Sequence, residues 1–478
     1  MNKFNLAAFI AFSAVLLAFS LSVTRITFHD THEYITVAKE IAGIHNVNVH
    51  SGHSFVYPVY LSVFVKLFPS MQAIKFANVL WLIALAGLLA FGVKSAKPFL
   101  LFATSPLVWW LSPQITPVLP AAFFFTLAYL AVKRFEQGQQ RIGWLAVCGL
   151  SLGLSFAVYD LPMLLLIGLL VLFFFYEKHF RDVIIMSIFI FLGTLPRFGI
   201  DYYFFHNPFY SIIRFIGSNI SISHGIANKM PSIANLFNPW YVATILLVIT
   251  PLLILSYTVD WKKHWRECLM LALLFLFFWW RAAPVDGLLQ SAGRGVKYFL
   301  LFAPILFLVL SSKIKNKYIM VGAIVSILVV TAAITGNFIE HSKNEATGER
   351  GFNFFGETRD AAIAKDMLDI SNDGYVKLIS SGAGTFYAAQ LFRQKPFIFW
   401  WKEYDSAANN RAAYSMIDYK ARSKLNLLEQ LELQATLNTK SNDFSGAKFL
   451  FEKNEKVSLG FSLEKCYRLL CVYNKVAI

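Results

Sequence analysis

Runs of about twenty apolar residues recur from residue 5 to residue 338, and each is long enough to cross a hydrocarbon core. At that depth no water satisfies the backbone, so an isolated run has only the helix open to it. The runs place helices near 5–23, 71–93, 98–112, 116–132, 143–158, 161–176, 183–199, 240–257, 267–281, 296–311 and 318–338. The first follows Asn2-Lys3 as a signal peptide would, but no A-x-A-like site ends it and it reads as a retained helix. Charged residues make up only 15% of the 478, against about a quarter in soluble domains, so lipid must cover part of the surface. The expected fold is an α-helical polytopic membrane protein with about 11 transmembrane helices.

The net charge of +15 is unevenly placed. Residues 1–338 hold 24 Lys and Arg against 11 Asp and Glu, whereas residues 339–478 hold 19 against 17. The excess sits in the membrane part, where it sets topology and calls for no nucleic-acid partner. Basic clusters at Lys94 and Lys97, at Lys133, Arg134 and Arg141, at Lys178 and Arg181, at Lys262, Lys263 and Arg266, and at Lys313, Lys315 and Lys317 fall on every second loop. That is the pattern of cytoplasmic loops. The N-terminus is then cytoplasmic, while the long segments 24–70 and 200–239 and the tail lie on the extracytoplasmic face of the cell (inner) membrane.

Two domains are expected: a transmembrane domain over 1–338 and a small extracytoplasmic α/β domain over 339–478. In the tail, helix candidates at 358–370, 385–393 and 407–434 alternate with strand-like YVKLIS (375–380), a strand at 396–400 and a strand pair around 448–473. FVYPVYLSVFVKLF (55–68) is too short to span and reads as a helix lying in the interface. Cys466 and Cys471 either bridge in an oxidising compartment or stay as thiols. The sequence holds no internal repeat and no Walker, Rossmann or G-x-S-x-G motif.

Chemistry concentrates in the first outer loop, RITFHDTHEYITVAKEIAG. Asp30, Glu33 and Glu40 are three of the membrane part's 11 acids. Asp30 follows the first helix closely and opens a segment in which Asp30, Glu33 or Tyr34, Val37 and Ile41 share a face by 3–4 spacing. It suits an N-cap, and a capped carboxylate is also a well-placed base. Five of the ten histidines, His29, His32, His45, His50 and His53, fall in this loop. Imidazole with carboxylate suits a divalent ion (Mn, Mg or Zn), with His29 and His53 as its candidate ligands; solvated loop histidines are the alternative. Arg281, Arg294 and Lys297 stand at outer helix ends, where cations either meet a lipid phosphate or snorkel to the interface. Arg294, in SAGRGVKY, is flanked by glycines that let a phosphate approach the backbone. Arg197, beside Pro196 at the outer end of its helix, is a further phosphate candidate.

The run D-x-x-x-Y-x-x-x-A (Asp30, Tyr34, Ala38) after the first helix resembles the C-type membrane glycosyltransferases (GT-C), among them protein O-mannosyltransferases and lipid A aminoarabinose transferases. Tyr57-Pro58 with Leu61 is similar to the family's Y-P-x-x-L, Ser105-Pro106 to its third-helix "lsP", Pro196 through Asn207-Pro208-Phe209 to its P…G-x-P-F loop, and Lys297-Tyr298 with Pro304 to its R-Y-x-x-p-x-x-P. The resemblance implies a GT-C-like fold, a polyprenyl-phosphate sugar donor, a lipid, glycan or protein acceptor, and an outer active site. It also implies Asp30 as catalytic base, with Glu33 a second catalytic candidate. Arg294, Lys297, Tyr298 and Arg197 are then the donor-phosphate candidates, and Tyr34 and Tyr57 the substrate-binding ones. Two departures stand out: the loop SPQITPVLP (112–120) lacks the second acid many relatives carry, and Glu33 is not adjacent to Asp30. An O-antigen ligase or polymerase would place a large outer loop within the later helices, whereas here the soluble mass follows the last one. A transporter would gather charge at the midplane, whereas here charge gathers at outer helix ends, with Asp160 in AVYDLP the exception, read as the turn of a helix hairpin.

Overall fold

The computed structural model describes, with short gaps, residues 3–22, 34–43, 53–68, 71–138, 141–177, 180–215, 262–273, 296–313, 320–332, 365–380, 397–401, 413–414 and 448–475. Contacts divide the chain into two compact units, one of residues 1–21, 75–199 and 231–338, the other of residues 22–74, 200–230 and 339–478.

The helices are α1 (Lys3–Ser22), α2 (Val56–Leu67), α3 (Met71–Phe91), α4 (Lys97–Thr104), α5 (Pro106–Leu111), α6 (Val118–Glu136), α7 (Arg141–Val158), α8 (Leu161–Glu177), α9 (Phe180–Phe205), a 3-10 helix (Val296–Leu301) and α10 (Ala303–Lys313). Among the described residues, four helices (α1, α3, α6 and α9) are long and apolar enough to cross a membrane. The spans expected at 240–257 and over most of 267–281 lie outside the described residues.

Sequence and structure differ at several helix boundaries. The helix expected over 98–112 is broken into α4 and α5, because Pro106 has no N–H to continue the ladder and forces Ser105 into extended backbone (φ −64°, ψ 129°). By contrast, α9 runs unbroken past Pro196 to Phe205, beyond the boundary expected at 199. The span expected at 296–311 opens as a 3-10 turn before α10 begins at Ala303.

In the first unit, α6 packs along α7 and against the 3-10 helix. The hydroxyl of Ser155 on α7 donates to the Ala121 carbonyl of α6 at 2.9 Å. The α7 and α9 backbones come closer still. A Cβ added at Gly153 would stand 2.1 Å from the Ile190 carbonyl oxygen, and one at Gly193 2.4 Å from that of Leu150. Only glycine fits such a crossing. The loop 112–117 is pinned by polar side chains: Asn78 Nδ2 donates to the Gln114 carbonyl (2.7 Å), Asn78 Oδ1 accepts from Thr116 N–H (3.1 Å), and Ser20 Oγ donates to the Ser112 carbonyl (2.7 Å). These bonds satisfy backbone groups that burial would otherwise leave costly.

In the second unit, the interfacial helix expected at 55–68 is α2. Its buried stripe Tyr57, Leu61 and Val65 recurs every four residues, while Val63, Leu67 and Phe68 stay exposed. Burying each large side chain of that stripe contributes about 1.5–3 kcal/mol. Among the described residues, the tail holds six strands: β1 (Lys377–Ser380), β2 (Phe397–Trp401), β3 (Ala413–Tyr414), β4 (Lys448–Glu452), β5 (Phe461–Cys466) and β6 (Leu470–Lys475), in the order β3-β2-β1-β4-β6-β5. The parallel pairs β1–β2 and β1–β4 give the α/β character expected of it. Its core joins Met367 and Ile370 to Leu378, Leu450, Leu470 and Val472. Buried Asp366 ties that helical segment to the sheet by accepting the N–H groups of Leu469 (2.6 Å) and Leu470 (2.9 Å). Ala413–Tyr414, expected in a helix over 407–434, pairs instead with β2, and the final strand pair is the three strands β4 to β6. Cys466 and Cys471, opposite one another on β5 and β6, form a disulfide. The helix expected at 385–393 lies outside the described residues.

Candidate functional site

The second unit assembles the aromatic positions of the first-loop motifs. Residues 34–41 are helical, with gaps, and bury Tyr34 and Val37. Tyr34 meets Tyr57 of α2 edge to face at 5.5 Å between centroids. The two candidate substrate-binding tyrosines, 23 residues apart, are therefore in contact, both buried. His53 joins them, its ring 5.6 Å from Tyr34 and 6.1 Å from Phe215. Tyr60 stacks on Tyr57 at 6.4 Å, and burial pushes its hydroxyl up to about 12. On the helical segment itself, burial lowers the Lys39 amine to about 8. Asp30, Glu33 and His29 lie outside the described residues.

Beneath this group, Val37, Phe55, Phe205 and Tyr210 form a core cluster. It depends on the reversal after α9. His206 adopts a positive φ of 53°, Asn207 Oδ1 accepts from Phe209 N–H at 3.0 Å, and the Phe205 and Tyr210 rings stack at 3.7 Å. Asp201, fully buried, accepts both the N–H (2.9 Å) and the hydroxyl (2.6 Å) of Ser211 and so locks the turn. The Asn207-Pro208-Phe209 match thus has a structural job: it returns Tyr210 under the first-loop helix.

The first unit gathers a second set. Lys297 and Tyr298 open the 3-10 helix, with Lys297 7% exposed and its amine 5.2 Å from the Tyr298 ring centroid. Tyr298 lies 6.0 Å from Tyr159, in the turn between α7 and α8. The next residue, Asp160, meets Arg197 of α9 in an ion pair of 2.5 Å. Arg197 also donates to the Phe156 carbonyl at 3.2 Å and covers the Phe156 ring at 4.9 Å. Arg197, which the sequence suggests as a phosphate contact, is 1% exposed and engaged by Asp160. Arg294 lies outside the described residues.

Three residues matter more in the fold than their sequence context suggests. Asp160 marks a helix turn, and nothing local points to its partner 37 residues away. Asp201 sits near a helix end, where a carboxylate ordinarily reads as solvated. Lys75, 1% exposed near the start of α3, does carry a signal, a cation inside an apolar run. Among the described residues, no three His, Cys, Asp or Glu gather as metal ligands.

No protein-family model matches the sequence, and no curated protein matches it. Among solved structures, ArnT from Cupriavidus metallidurans bound to undecaprenyl phosphate aligns with 99% of this chain and 98% of its own, at 11% identity and a TM-score of 0.58. The apo form of that ArnT aligns with 98% of this chain and 97% of its own, at 12% identity and a TM-score of 0.52. The arabinofuranosyltransferase AftD from Mycobacteria aligns with all of this chain but 40% of its own, at 11% identity and a TM-score of 0.45. The chain has the fold of ArnT over nearly its full length.

Proposed function

We propose that this chain is a multi-pass membrane glycosyltransferase of the GT-C type, which moves a sugar from a polyprenyl-phosphate donor to an acceptor hydroxyl on the extracytoplasmic face. The observation that carries the reading is the end-to-end fold match to a protein whose structure was solved with undecaprenyl phosphate bound. The ordered motifs of this sequence and the Cys466–Cys471 disulfide, a bond suited to an oxidising compartment, support it.

The roles follow from the chemistry. A hydroxyl becomes a competent nucleophile when a base takes its proton during attack, and the departing lipid phosphate needs cations to hold its charge. Asp30 is the base in this reading, ionised at neutral pH with an ordinary carboxylate pKa of about 4, and Glu33 is its nearest substitute. Arg294 and Lys297 hold the donor phosphate, with Tyr298 beneath Lys297. Tyr34 and Tyr57 are the substrate-binding candidates, each ring braced by the other. Direct attack on the anomeric carbon inverts it. His29 and His53 are the residues that would hold a divalent ion, which would help neutralise the departing phosphate; His53 is set among aromatic rings.

Binding of labelled undecaprenyl phosphate to the purified protein in nanodiscs tests the donor assignment. Saturable binding by the wild type, weakened tenfold or more in Arg294→Ala and in Lys297→Ala, is expected, since a charge-assisted phosphate contact contributes roughly 1.5–3 kcal/mol. Absence of binding by the wild type would contradict the reading. Normal binding by both variants would make the two cations interface anchors.

A further inference from the structure

A buried ion pair inside an apolar helical unit demands a reason. Desolvating two charges costs more than their attraction returns unless geometry and added hydrogen bonds are good, and well-packed apolar residues of the same volume do as well or better for stability alone. Asp160 and Arg197 are both nearly inaccessible, 2% and 1% exposed, and the arginine is further held by the Phe156 carbonyl and ring. The helices on either side of the pair, α7 and α9, already cross on glycines at van der Waals limits without help from charge. What the pair adds is a fixed azimuth for the turn after α7. Asp160 is anchored sideways to α9 by its carboxylate and along the chain by its carbonyl, which accepts Met163 N–H at 2.9 Å. Tyr159, bound at its own N–H to the Ser155 carbonyl at 3.0 Å, sets its ring against Tyr298.

We infer that Asp160 and Arg197 are positioning residues whose ion pair, acting through Tyr159 and Tyr298, sets the place of the Lys297 amine. The chain of contact is continuous: Arg197 to Asp160, Asp160 to its neighbour Tyr159, Tyr159 to Tyr298 at 6.0 Å, and Tyr298 under the Lys297 amine at 5.2 Å. A lysine is a flexible point charge, and its usefulness to an anion depends on what holds it. A buried amine over a tyrosine ring, with that ring supported by a second one, is held. The inference rests on the proposed function only for the identity of the anion, a lipid-linked phosphate; the positioning itself is a statement about Lys297.

The test reads Lys297 directly. Purified protein in nanodiscs is treated with an amine-reactive reagent, and modification of Lys297 is followed by peptide mass spectrometry. Three variants are compared: Asp160→Asn/Arg197→Gln, which removes both charges of the pair together; Tyr159→Leu, which removes the ring; and Tyr159→Phe, which keeps it. The double variant and Tyr159→Leu should label Lys297 about fivefold faster or more, as local opening admits the reagent, while Tyr159→Phe should match the wild type. They should also bind labelled undecaprenyl phosphate about tenfold more weakly. Wild-type labelling rates in the double variant or in Tyr159→Leu would overturn the inference, as would undiminished lipid binding in both. Should the double variant fail to fold, the two Tyr159 variants decide. A wild type that binds no undecaprenyl phosphate refutes the proposed function instead, and the labelling arm still decides the inference.

Discussion

A charge buried among apolar side chains must be paired, and Asp160 and Arg197 hold one another. Tyr34 and Tyr57 stand out by motif, and the fold brings them into contact. Arg197 and Asp160 each stand out because charges are scarce in apolar helices, yet taken singly each admits a separate explanation. Their pairing is set by how α7 and α9 cross, which no local pattern encodes. Lys39 carries a testable consequence. Burial lowers its amine to about 8 from the ordinary 10.5, so the folded chain releases the proton before the unfolded chain does. Between those two pH values the unfolded state holds more protons, and stability rises with pH across that window. Below pH 8 the full penalty applies. Lys39→Met should therefore stabilise the protein at pH 7 by about 1–3 kcal/mol and abolish the rise between pH 8 and 10. Thermal unfolding in detergent across that range checks it, and a flat wild-type profile would show the amine to be solvated.

At the scale of elements, hydrophobic periodicity locates most described helices within a few residues, including the short α2 that does not span. It misplaces boundaries at prolines, and in both directions. Pro106 ends α4 because its neighbour Ser105 goes extended, whereas Pro196 is carried inside α9, where the helix simply goes on. Tertiary packing decides which outcome a proline gives, and a single sequence does not show it. The α7–α9 crossing is likewise a packing fact written in glycines spaced four apart, Gly149 and Gly153. Gly153→Val would drive its Cβ to 2.1 Å from the Ile190 carbonyl oxygen, a backbone atom that cannot rotate away. The substitution should destabilise the protein by about 1–3 kcal/mol or more, lowering the unfolding temperature in detergent. Gly168→Val, where an added Cβ meets nothing within 4 Å, is the control expected to leave it unchanged. Equal effects of the two would remove the close crossing from the account. In the tail, β1 and β2 are legible as short apolar runs, but two-residue β3 is not, because so short a strand takes its form from β2 rather than from its own residues.

For the whole molecule, composition alone points to a helical membrane protein, and among the described residues four helices are long and apolar enough to cross a membrane. Loop-charge parity adds a topology: protease added to intact spheroplasts should remove the tail while sparing the basic 259–266 loop, and a protected tail would invert it. What no motif carries is chemistry, since a fold can host many reactions. In the proposed reaction this chain transfers a sugar from a polyprenyl phosphate, with Asp30 as base. It is tested most directly by incubating purified wild type and Asp30→Asn in nanodiscs with labelled polyprenyl-phosphate sugars and an extract of envelope acceptors. Release of polyprenyl phosphate is measured in step with transfer of label. Transfer by the wild type is expected, with a loss of roughly 100-fold or more in Asp30→Asn and donor binding retained. Full activity in Asp30→Asn with loss in Glu33→Gln would move the base to Glu33, and full activity in both, or no transfer by the wild type from any such donor, would contradict the account.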